Sequence, residues 1–250
     1  NNSKKKTYYF KKDLILCAGN FGNVFMLKNF FKKIKNSGKS LCDHPHIGVN
    51  VDFDLSKKFF EYQKKFNFEK KIIYEKLFIK KNKFYFTVQL TKNFDQNSGS
   101  FFVKFIKVLL HKLKIKSFYN LEFVLSQGKN NHRFIKLNQY SKINGLNKLD
   151  VFYKLQKNEL KNIKDMIGQI IKKKIDNFSD LVIGNHPCCS NPMGKNKYLS
   201  VVDKNLKVHK YKNVYLCGSD VFPNSGVTNP TFTIMVLSRR LAFYLSRNKK

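Results

Sequence analysis

Residues 214–231 read Val214-Tyr215-Leu216-Cys217-Gly218-Ser219-Asp220-Val221-Phe222-Pro223-Asn224-Ser225-Gly226-Val227-Thr228-Asn229-Pro230-Thr231. A short apolar run that stops at a glycine is the pattern of a strand buried in an α/β sheet. The loop Ser219 to Thr228 follows, and Asn229-Pro230 then supplies a cap and a first helical position, so a helix is predicted to about Arg247. Ile234, Leu237, Leu241 and Leu245 give that helix one apolar face. Glycine lets a backbone approach a cofactor closely, and a helix N-terminus offers unpaired N–H groups and partial positive charge. That end suits an anionic group, a phosphate included.

Working outward, Asp13-Leu14-Ile15-Leu16-Cys17-Ala18-Gly19 is a second buried-type strand ending in glycine. Asn20 to Asn23 read as a turn, and Val24 to Phe31 as the start of a helix. The loop Ser40 to His46 holds Asp43, His44 and His46, side chains that can ligate metal. On a proline-broken loop without a fourth partner they read as structural. Gly184 to Gly194 is too rich in turn formers for regular structure, and it carries His186, an imidazole able to accept a hydroxyl proton. Ser200 to Asp203 and Leu206 to Val208 form a short hairpin by pattern.

The middle has other periods. Phe84, Phe86, Val88 and Leu90 alternate with Tyr85, Thr87 and Gln89, which predicts a half-buried strand. Residues 101–113 carry Phe102, Phe105, Ile106, Leu109, Leu110 and Leu113 at helical spacing. Strands are predicted over 119–125, 133–137 and 149–155, the last after an Asn144-Gly145 turn. A helix is predicted over 159–175, with Asn158 placed to cap. Antiparallel strands with a few helices suggest a separate α+β layer.

The chain has 49 Lys+Arg against 16 Asp+Glu, a net charge of +33. Such charge suits a nucleic-acid or anionic-surface binder. Yet the lysines are dispersed, Trp is absent and arginine, which reads bases bidentately, is scarce. The lysines therefore read as solvated faces, and no nucleic-acid motif occurs. Five cysteines without a CxxC pair indicate neither a zinc site nor a disulfide framework, and a reducing, cytoplasmic setting is the default expectation. No 18-residue uncharged apolar run occurs, so no transmembrane segment is expected. The first residues, without Met or an apolar signal region, predict an incomplete chain.

The C-terminal stretch resembles the closing segment of the glucose–methanol–choline (GMC) oxidoreductases. That family carries His-x-x-Gly-Thr-x-x-Met-Gly, a Val-Val-Asp hairpin, an Asn-(Leu/Val) strand, a Pro loop and Asn-Pro opening a helix. This sequence has His186, Met193-Gly194, Val201-Val202-Asp203, Asn213-Val214-Tyr215-Leu216, Val221-Phe222-Pro223 and Thr228-Asn229-Pro230-Thr231 in the same order. Ala18-Gly19 and Asp43-His44-Pro45 resemble upstream family elements, and Gln127 with Asn130–Leu137 resembles the substrate-domain stretch more loosely. The departures are Cys189-Ser190 for the family's Gly-Thr, Gly218 where many members have Asp, and no Gly-x-Gly-x-x-Gly for the FAD pyrophosphate.

The resemblance implies an FAD-dependent enzyme acting on CH–OH groups of an alcohol, sugar or polyol, by hydride transfer to flavin N5. It implies His186 as proton acceptor and Asn229 as hydrogen-bond partner of the substrate oxygen, although Asn229 also suits a helix cap. Ala18, Gly19, Gly218, Ser219, Asp220, Pro230 and Thr231 would line the cofactor, with no metal. The expected fold class is α/β plus α+β. Residues 1–56 and 181–250 would complete part of an FAD domain, with 57–180 inserted as a substrate domain on a mostly antiparallel sheet with helices. The partners expected are a small-molecule substrate and an N-terminal FAD-binding segment, not nucleic acid. Two alternatives stay open: an inactive fragment or remnant, or a basic module for an anionic surface or nucleic acid, which lysines clustered on one face would favour.

Overall fold

The computed structural model describes residues 7–31, 34–52, 54–55, 65–68, 71–74, 77–81, 84–92, 101–113, 119–128, 130–178, 180–183 and 185–247. The expected boundary between residues 56 and 57 and the loop residue Gly184 lie outside them, as do the side chains of Phe84 and Phe102. The strands are β1 (Leu14–Leu16), β2 (His46–Val51), β3 (Lys65–Phe68), β4 (Lys71–Tyr74), β5 (Leu77–Lys81), β6 (Phe84–Lys92), β7 (Tyr119–Leu125), β8 (Phe134–Ile143), β9 (Leu146–Phe152), β10 (Asp180–Val182) and β11 (Val214–Leu216). The helices are α1 (Gly19–Phe30), α2 (Phe101–Lys112), α3 (Lys157–Ile171) and α4 (Thr231–Arg247), with a 3-10 turn at Ser219–Val221.

The two apolar runs that end near glycine pair with each other. β1 and β11 lie parallel, with Leu14 opposite Val214 and Leu16 opposite Leu216. Leu16 and Leu216 join Leu27 of α1 and Leu237 and Leu241 of α4 in one buried cluster. α4 begins at Thr231, one residue after the first helical position expected at Pro230, with Ile234 N donating to Pro230 O at 2.9 Å. The start of α1 differs from expectation: the helix begins at Gly19 and absorbs the Asn20–Asn23 turn. Tertiary bonds made by Asn23, described below, outweigh the local preference of Asn and Gly for turns.

The second core belongs to an antiparallel sheet of order β10-β2-β7-β6-β5. Ile47, Val49 and Val51 of β2, Leu121, Phe123 and Leu125 of β7, and Phe86 and Val88 of β6 face one side, where Ile163, Met166, Ile167 and Ile171 of α3 pack on them. Because side chains alternate along a strand, His46, Glu122 and Gln89 must share the other face. α3 is capped by Gln156 with Glu159 in a capping box, not by Asn158, which falls inside the helix. The stripe predicted on α2 exists, but Phe105, Ile106, Leu109 and Leu113 are exposed among the described residues.

β8 and β9 form a separate hairpin, β8 running past the expected 133–137 and β9 lying three residues before the expected 149–155, with Asn144 (φ 50°) and Gly145 (φ 78°) at its turn. The hairpin is tied to α1 twice through Asn29, whose side chain bonds the Asn147 carbonyl and amide, each at 3.1 Å. Gly38 lets the hairpin approach: at φ +77° a Cβ there would lie 2.4 Å from the Ile135 carbonyl oxygen. Among the described residues no helix is long and apolar enough to cross a membrane.

Ile167 is fully buried between α3 and the sheet. Ile167→Ala should lower unfolding free energy by about 2–5 kcal/mol, read from a urea midpoint at unchanged m; a change under about 0.5 kcal/mol would contradict this packing.

Candidate functional site

The C-terminal ends of parallel strands are where open α/β sheets bind ligands. Here the chain leaves β1 at Cys17-Ala18-Gly19 and β11 at Cys217-Gly218-Ser219, held together by the bond from Cys217 N to Leu16 O at 3.0 Å. Gly19 has φ +71°, and a Cβ there would meet nothing within 4 Å, so the first turn of α1 opens onto space. The helix has no side-chain cap and no acidic residue in its first turn. The buried amide nitrogen of Asn20 has no hydrogen-bond partner there.

Asp220 lies beneath this turn, fully buried. Asn23 Nδ2 donates to both its oxygens at 3.1 and 3.0 Å, and Asn191 Nδ2 donates to Oδ2 at 2.9 Å. Asn23 uses its Oδ1 to accept from Ala18 N at 3.0 Å. Gly218 is needed because a Cβ would stand 2.6 Å from Asp220 Oδ1. Burial pushes the Asp220 carboxyl up to about 6, against the lowering effect of the Asn191 and Asn23 donors.

The segment after His186 runs beside the 3-10 turn: Cys189 N, Asn191 N and Met193 N donate to the carbonyls of Ser219, Asp220 and Val221 at 3.1, 2.8 and 2.8 Å. Ser219 Oγ donates to Pro187 O at 2.8 Å. Cys189, which stands where the resembled family has Gly, adopts φ 67°, the left-handed region that glycine enters without cost. Its thiol contacts Cys188 Sγ at 3.4 Å, and that contact, with Cys42 and burial, pushes the thiol upward.

His186 is positioned from the other side. Cys42 and Cys188 exchange backbone bonds of 3.0 and 2.9 Å, which brings the Asp43-His44-Pro45-His46 loop against it. The buried Asp43 accepts from His186 N at 2.8 Å. The rings of His44 and His46 lie 5.5 and 5.8 Å from the His186 ring. His44 is fixed through Nε2 to the Ser225 carbonyl, and burial lowers its basicity while that bond opposes the shift. Ser225 Oγ accepts from Gln127 N at 2.7 Å, and Gln127 Oε1 accepts from Asp43 N at 3.1 Å and Tyr153 OH at 2.8 Å. Thr87 of β6 donates to Val227 O at 3.3 Å, so the loop before α4 lies over the polar face of the sheet.

The structure thus brings Ala18, Gly19, Gly218, Ser219, Asp220 and His186 into one region. Asn229 and Thr231 are exposed and Pro230 half-buried at the start of α4, on the loop that Ser225 ties to His44. Asn23, Asn191 and Tyr153 make contacts in this region that sequence reading did not assign. Asp43, His44 and His46, expected as structural, lie against His186.

Residues 134–238 match the profile of the GMC oxidoreductase family. Among solved structures, pyridoxine 4-oxidase from Mesorbium loti is similar over 95% of this chain at 11% identity, with a TM-score of 0.56. The chain spans about half of that enzyme, 52% of its length.

The buried Asp220 sets a pH dependence with a defined sign. Its folded carboxyl titrates near 6, above the 3.8 of the free side chain, so between these values the native state holds the proton that the unfolded chain has lost. Stability should therefore fall as pH rises from about 4 to about 6, by up to about 3 kcal/mol from this group. Denaturant melts of wild type and Asp220→Asn across that range should diverge, with the variant lacking this fall; parallel curves would refute it.

Proposed function

We propose, on the match of residues 134–238 to the GMC oxidoreductase family, that the chain forms the substrate-facing part of an FAD-dependent enzyme that oxidises a CH–OH group. One observation carries the reading: His186, the only histidine in the family-like loop, stands beside the C-terminal ends of β1 and β11, with its amide held by buried Asp43. His186 accepts the hydroxyl proton, and Asn229 orients the substrate oxygen from the α4 start. FAD, when bound, supplies the hydride acceptor. Ala18, Gly19, Gly218, Ser219, Pro230 and Thr231 would hold it, whereas Asp220, expected among them, is fully buried behind the turn and has no surface to offer it. The open space at Gly19, the uncapped α1 turn and the unpartnered Asn20 amide are consistent with a polar, anionic group there. Asp220 acts from below by fixing Asn23 and Asn191.

In this reading residues 1–56 and 181–250 contribute to the FAD domain and 57–180 to the substrate domain. Completion by a polypeptide carrying Gly-x-Gly-x-x-Gly is supported by what is uncovered among the described residues. A two-stranded parallel sheet is not ordinarily self-sufficient, Ile15 on β1 is 43% exposed, and α4 exposes Phe232, Met235, Val236 and Phe243.

A second reading, binding to an anionic surface, is favoured by a groove of about 1140 Å³ along α3 lined by Lys157, Lys161, Lys164, Lys172, Lys173 and Lys174. Three of these are already engaged: Lys164 with Asp176 O, Lys173 with Asp52 and Lys174 with Asp176. The enzyme reading therefore stands first.

Co-expression with a Gly-x-Gly-x-x-Gly segment should give a yellow complex that an alcohol or sugar bleaches under anaerobic conditions. His186→Ala should keep the flavin and bleach about 10²–10⁴-fold more slowly. A colourless product would mean a remnant without present activity.

A further inference from the structure

Resting on that enzyme reading, we infer that His46 and Glu122 form the outlet through which the proton taken up by His186 leaves the site. Strand alternation generates the pair. His46 opens β2 with its side chain on the face opposite Ile47, and Glu122 of β7 lies opposite Gly48, so the two are diagonal neighbours on one face. His46 Nδ1 and Glu122 Oε1 are 2.8 Å apart, and Gln89 Nε2, directly across on β6, donates to Glu122 Oε2. Two donors thus fix the carboxylate.

The Nδ1–H donated to Glu122 sets the tautomer, leaving His46 Nε2 as the bare acceptor. That nitrogen is buried without a hydrogen-bond partner, and its ring lies 5.8 Å from the His186 ring at 46°. This separation is too long for a direct hydrogen bond between the rings and suits transfer through one intervening water. His44, the other neighbouring imidazole, offers no route onward: its Nε2 is committed to the buried Ser225 carbonyl. Glu122 is 28% exposed at its side chain, so it meets solvent at the far end.

The step moves a proton and no electrons. The N–H bond on the His186 ring breaks as His46 Nε2–H forms, His46 Nδ1–H passes to the Glu122 carboxylate, and Glu122 releases the proton to water. Among the described residues, the other titratable groups near this path are Asp43 and His44 on the same loop, Cys188 beside His186, and Tyr153, which reaches it through Gln127. His46 is a positioning and relay residue and has no contact with the substrate assigned to it.

Three measurements test the outlet, two on the full chain and one on the flavin-loaded complex. Histidine ¹⁵N NMR of the chain without substrate should show His46 as the Nδ1–H tautomer, lost in Glu122→Gln. The His186 titration should be coupled to His46, with its midpoint moved by at least about 0.5 pH unit in His46→Gln. In the flavin-loaded complex His46→Gln should slow bleaching about 10-fold at unchanged KM, with added imidazole restoring the rate. An active enzyme whose His186 titration ignores His46, or whose turnover is unchanged in both variants, overturns the outlet alone. A chain with the coupled titration that never bleaches overturns the enzyme reading and the outlet with it.

Discussion

Asp220 sits out of solvent with amide hydrogens from two distant segments aimed at its oxygens. An isolated buried carboxylate costs several kcal/mol, and the chain meets that cost by bringing Asn23, 197 residues away, and Asn191, 29 residues away, to the same point. Satisfying this one group fixes the first turn of α1, the segment after His186 and the 3-10 turn after β11 relative to one another. The parallel pairing of β1 with β11 delivers the two glycine-bearing turns to it. The backbone bonds between Cys42 and Cys188, and Asp43, add a second set of ties around His186.

The five-stranded sheet serves the site by having two chemically different faces. Its apolar residues meet α3, so a period-2 pattern forces His46, Glu122, Gln89 and Thr87 onto the opposite side. There Thr87 holds the loop that leads to α4. One alternation therefore builds a core and supplies polar groups beside the histidine loop, and a one-residue slip of β2 would exchange the two.

What could be read from the sequence was local. Val214–Gly218, the Asn229-Pro230 helix start, the Asn144-Gly145 turn and β7 each declare themselves within a few residues. The ordered series from His186 to Thr231 pointed to the family because it preserves spacing, which drift in composition does not erase. The arrangement around Asp220 was not legible, because nothing near Asn23 in the chain signals a partner 197 residues on. For the same reason Asn20 to Asn23 read as a turn although they open α1. His44 and His46 read as structural loop residues because their approach to His186 depends on a bridge between Cys42 and Cys188, whose separation in sequence carries no local pattern.

Cys42, Cys188 and Cys189 give the histidine loop an internal reporter. All three are buried, whereas Cys17 is exposed. A thiol alkylates as its thiolate and only when reagent reaches it, and contact with Cys188, Cys42 and the surrounding core holds Cys189 protonated. Labelling of Cys188 and Cys189 in the native chain therefore requires that the segment from His186 to Asn191 first lift away from the 3-10 turn. The lag between modification of Cys17 and of this pair measures how often that happens. Sulfur chemistry thus supplies a clock for breathing of the very loop that holds the proton acceptor.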